Sequence, residues 1–168
     1  MPAKISYPLF YALATLFLMI PYVPFSFSEL GRFFPEFISP FIFFFYVYFK
    51  DRPNYFFIFI IAIIIDALHN MLIGTTTVTC FLSLLLFHYQ RKLFYFKEFT
   101  EIWISFSFFT MQFTVVNLLI INSANDLPID LGLVLFKLLG TILLYPLLHN
   151  LLLFLAALLK PTISSEQK

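Results

Sequence analysis

Charge is scarce in this chain. Only 11% of its 168 residues are Asp, Glu, Lys or Arg, against 61% hydrophobic. A soluble domain of this length needs far more polar surface to cover its core, which excludes that class. The net charge of +1 supplies no basic field for nucleic acid. The single cysteine, Cys80, allows neither an intrachain disulfide nor a cysteine metal site. Four glycines among abundant Phe, Leu and Ile exclude collagen-like and disordered chains.

Chemical motifs are missing too. There is no HExxH, no GxSxG nucleophile elbow and no glycine-rich phosphate loop. His69, His88 and His149 are scattered, and Asp66-x-x-His69 alone could not complete a metal site. An aspartyl dyad needs two facing aspartates, yet only Asp66 falls within an apolar run, Asp126 and Asp130 belonging to the loop NSANDLPID. The expectation is a non-enzymatic protein with no catalytic residue, metal or cofactor.

What is present is a succession of apolar runs. About 20 residues at 1.5 Å each cross a hydrocarbon core of about 30 Å, and the chain divides into six such spans. They are expected at Tyr7–Phe25, Phe33–Phe49, Asn54–Ile73, Thr75–Tyr89, Ile102–Ile121 and Leu131–Leu159. Pro21 and Pro24 end the first run where a signal peptide would have a small-residue cleavage site, so it reads as an uncleaved span. The second contains Pro40, and the sixth is expected to be interrupted by Pro146. One all-α transmembrane domain, 1–160, is thus followed by a short cytoplasmic tail, 161–168.

No polar loop separates the third and fourth runs, yet one helix from Asn54 to Tyr89 would be about 54 Å long. The chain must turn at Gly74-Thr75-Thr76-Thr77, glycine being a helix stop and threonine hydroxyls able to satisfy freed backbone groups. Orientation follows from the basic residues. With both ends inside, Lys4, Lys50, Arg52, Arg91, Lys92, Lys97, Lys160 and Lys168 are cytoplasmic, only Arg32 is outside, and Lys137 lies in the last span.

Residues 52–94, RPNYFFIFIIAIIIDALHNMLIGTTTVTCFLSLLLFHYQRKLF, resemble the rod shape-determining protein MreD family. The shared features are Pro53 opening a span, Asp66 late in it, Gly74 beyond, and Tyr89 before Arg91-Lys92. LGTILLYPLLHNLLLFLAALLKP is similar to that family's last span. Ala62 and a run of isoleucines stand where the family often has a glycine before the aspartate. The resemblance implies a scaffold of the bacterial inner membrane that supports lateral peptidoglycan synthesis. Its implied partners are MreC, RodA with its transpeptidase partner, and MreB indirectly. It also implies a fold similar to the substrate-binding subunits of energy-coupling-factor vitamin transporters. A transporter subunit is the rival reading. Against it, Ala12 is followed by Leu16 and Ala14 by Leu18, where such subunits carry small residues four apart for their ATPase module.

Asp66, His69 and Asn70 share one helix face, and hydrogen bonds to neighbouring helices are their expected use. His149 and Asn150 follow Pro146 and are expected to bond the carbonyls it frees. Trp103 reads as an interfacial anchor. Asp66 lies about 12 Å in from Gly74 and Lys137 about 9 Å in from Leu131, counting 1.5 Å per residue. These matching depths predict that Asp66 pairs with Lys137, directly or through His69, joining the third and sixth spans.

Overall fold

The computed structural model describes residues 36–48, 55–68, 74–90, 98–124 and 130–159, all helix or helix-flanking turn, with no strand among them. The helices are α1 (Ile38–Tyr48), α2 (Tyr55–Leu68), α3 (Thr75–Gln90), α4 (Phe99–Ala124) and α5 (Leu131–Leu159). The expected first span, His69, Asn70, Pro53, Arg91-Lys92 and the tail lie outside the described residues.

Among the described residues, two helices are long and apolar enough to cross a membrane, Phe99–Ser123 within α4 and Leu131–Ala157 within α5. Their ends are set by local capping. Asp130 accepts the N–H of Gly132 and of Leu133 at 3.0 and 3.2 Å, starting α5 where its apolar run begins. At α4 the Glu101 carboxylate reaches back to the Glu98 N–H at 3.3 Å, the return half of a capping box. That cap lets α4 begin at Phe99, three residues before the apolar run expected at Ile102.

Pro146 does not interrupt α5, contrary to expectation; the helix runs through it. A proline removes only one N–H, and its carbonyl partner, Ile142 O, accepts the Trp103 indole N–H at 3.0 Å. Trp103 is therefore a bridge between α4 and α5, and it does the work expected of His149 and Asn150. Pro40, similarly, sits in the first turn of α1, where its missing N–H has no intrahelical partner to lose.

This bridge makes a testable prediction. Trp103→Phe keeps the ring but orphans the Ile142 carbonyl, a loss of about 1–3 kcal/mol. Pro146→Ala restores a backbone N–H for that carbonyl. In that background Trp103→Phe is expected to cost about 1 kcal/mol less. Unfolding of the four variants in mixed micelles measures the coupling, and simple additivity would refute the bridge.

Helix α1 is short, about 16 Å. Residues Ile38 to Phe45 are all buried, so its apolar run, FIFFF, is used on every side. It packs on α4 and α5; α4 also packs on α3 and α5, and α2 packs on α3. Phe43 lies at the centre, its ring 5.5–6.0 Å from those of Phe87, Phe106, Phe109 and Tyr145. Phe106 and Tyr145 are stacked at 3.8 Å. The pairs Phe43–Tyr145 and Tyr48–His149 make α1 parallel to α5. Phe43–Phe87 and Tyr46–His88 make it parallel to α3. Gln112–Ser83 and Thr79–Asn117 run α4 antiparallel to α3.

Candidate functional site

Polar side chains collect at two levels of this bundle. The first is the Gly74 end, where α3 and α5 begin and α2 and α4 finish. Gly74 has φ +104°, and a Cβ built on it meets nothing within 4 Å, so its constraint is backbone conformation and not space. The Val78 N–H bonds the Gly74 carbonyl, which makes Gly74 the residue that opens α3. Glycine has no side chain to cap the helix it starts. Asp66, fully buried one helix earlier, supplies that oxygen. Its Oδ2 accepts the Gly74 N–H at 2.7 Å and its Oδ1 the Thr76 N–H at 3.0 Å. A carboxylate at a helix N-terminus also meets the positive end of the macrodipole.

The structure thus corrects the expected Asp66–Lys137 pair. Both Asp66 oxygens serve the start of α3, and among the described residues no ion pair joins Asp66 to Lys137. Depth alone suggested that pair, but α2 packs on α3 while α5 packs on α4 and α1. Lys137 is instead linked through its backbone to Glu36, just before α1. Sequence reasoning missed Glu36, although it lies within the run expected from Phe33 to Phe49. The local tie is Thr141, whose hydroxyl accepts the Glu36 N–H at 3.0 Å and donates to the Lys137 carbonyl at 2.8 Å.

The second level is the opposite end. His149 is buried, its Nε2 3.3 Å from the Tyr48 hydroxyl and its Nδ1 3.2 Å from that of Tyr145. Phe44 and Phe99 pack their rings against the imidazole. This is a second correction: His149 ties α1 to α5 and leaves the proline-freed carbonyl to Trp103. Asn150 is exposed. A parallel contact joins Tyr46 to His88 Nδ1 at 3.1 Å, linking α1 to α3.

Chemically, Asp66 is engaged in holding a turn, and His149 in holding helices together. Among the described residues no group of three His, Cys, Asp or Glu is placed to hold a metal ion. Compared with family models, curated proteins and solved structures, the chain matches none.

Proposed function

We propose that this chain is a non-enzymatic scaffold of the bacterial inner membrane, with six spans and both termini cytoplasmic. It supports rod-shaped peptidoglycan synthesis by binding MreC and, with it, RodA and its transpeptidase partner, MreB being reached indirectly. The fold it would share is that of energy-coupling-factor substrate-binding subunits. The observation that carries the reading is the resemblance of residues 52–94 to the MreD family, through Pro53, Asp66, Gly74, Tyr89 and Arg91-Lys92. The use found for Asp66 supports it. A family feature that pairs an aspartate with a glycine eight residues on makes sense as a carboxylate that starts the next helix, without any chemistry.

A lipid setting is supported by the outer face of α5. Leu135, Leu139, Leu143 and Leu147 recur every four residues and are all well exposed. Such a stripe is costly in water and neutral in lipid.

Co-purification from bacterial membranes tests the proposal. MreC should be recovered with the full chain. A folded preparation that binds a vitamin tightly and ignores MreC would replace the scaffold with the transporter subunit.

A further inference from the structure

Phe43 packs against Phe87, Phe106 and Tyr145, one ring from each of α3, α4 and α5. Residues four apart on a helix share a face one turn along. One turn from these rings toward the Gly74 end lie Ser39, Ser83, Thr110 and Thr141, four buried hydroxyls, one per helix. The aromatic layer is therefore followed by a hydroxyl layer.

Three of these hydroxyls, Ser39 Oγ, Ser83 Oγ and Thr110 Oγ1, are buried with no hydrogen-bond partner. Gln112 donates to the Ser83 carbonyl at 3.0 Å, and its Oε1 is also buried and unpartnered. Only two other described side-chain atoms share that condition, on Thr77 and Gln90, so the orphans are concentrated here. Buried polar atoms are rarely left unsatisfied, because each then forfeits its hydration with nothing in return. Toward the Gly74 end this layer is followed by Glu36 and Lys137. The Thr141 hydroxyl, itself part of the layer, holds the Glu36 N–H and the Lys137 carbonyl, and no ion pair joins the two side chains among the described residues. Cys80 is fully buried three residues before Ser83 on the same helix, and so shares its face.

We propose that the hydroxyl layer is a hydrated binding site for a small solute carrying both a positive and a negative charge. The aromatic layer is its floor, and Glu36 and Lys137 are the groups that meet the two charges. Hydroxyls donate as well as accept, so they suit water and either end of such a solute. Two opposite charges that do not pair with each other are each able to meet one end of a molecule that carries both. The site does not depend on which partners the chain has.

Thiol reagents of similar size and opposite charge, aminoethyl and sulfonatoethyl methanethiosulfonate, test it on the full chain in detergent. The native Cys80 thiol is the first reporter and requires no substitution. Ser39→Cys and Ser83→Cys in a Cys80→Ser background are the second and third. Ala156→Cys, at a fully buried apolar position of α5, is the dry reference. Both reagents should react at all three reporters at least about tenfold faster than at the reference. Glu36→Gln should slow the cationic reagent about three- to tenfold and spare the anionic one, and Lys137→Met should do the converse. Reporters no faster than the reference would overturn the site. So would rates indifferent to both charge variants. Reaction confined to an uncharged reagent would mean a pocket for water alone and would reject the two-charge site.

Discussion

Asp66→Leu is expected to remove most of the folded protein. The substitution leaves the half-buried N–H groups of Gly74 and Thr76 without an acceptor, where the carboxylate now takes both at 2.7 and 3.0 Å. Hydrogen bonds to a charged partner contribute about 1.5–3 kcal/mol each, so the pair amounts to about 3–6 kcal/mol. Because no capping side chain is available at Gly74, nothing local can substitute. Asp66→Asn keeps one acceptor and turns an amide donor toward the other N–H, so its loss should be intermediate. Lys137→Leu should give no rescue, because both Asp66 oxygens are taken by the start of α3 and no ion pair joins Asp66 to Lys137 among the described residues. Unfolding in mixed micelles with a double-mutant cycle measures this. A double variant more stable than Asp66→Leu alone would restore the ion pair that the structure denies.

Phe43→Ala is expected to be the next most damaging single change. Its ring is fully buried and lies within 6.0 Å of four aromatic rings from three other helices. Truncating a buried phenylalanine costs about 3–5 kcal/mol, from lost burial and from the cavity that its neighbours fail to close. The stacked Phe106–Tyr145 pair stiffens one wall and limits that collapse. Phe43→Leu retains most of the volume and should recover more than half of the loss. A neighbouring change on the outer face, Phe56→Ala, should cost far less, because Phe56 is 71% exposed. Equal losses at Phe43 and Phe56 would show that the aromatic layer is not the core of the bundle.

Several element boundaries are legible in the sequence. The last helix begins at Leu131 and ends at Leu159, as its apolar run does, and α3 begins at Thr75, immediately after Gly74. These boundaries are local. A glycine at φ +104° or an aspartate one residue before a run acts on its own few neighbours, and the sequence carries that information. The use of α1 was not legible. FIFFF reads the same whether it faces lipid or protein, and only the packing of α1 on α4 and α5 made it a buried element.

The candidate site divides along the same line. Residue type and position singled out Asp66, His149 and Lys137 as polar groups in apolar surroundings that must find partners. At 1.5 Å per residue they also fixed how deep each group lies in its helix. Depth is one coordinate, and a pairing needs three. Which helices are neighbours, and which face each one turns inward, depends on how ridges and rings fit across the bundle. That packing gave Asp66 to the start of α3 and His149 to two tyrosines. It gave the carbonyl that Pro146 leaves free to Trp103, and it linked Lys137 to Glu36 through Thr141. The sequence by itself determined which residues could not be left alone; the tertiary structure decided what each one met, because contact across helices is set by direction as well as height.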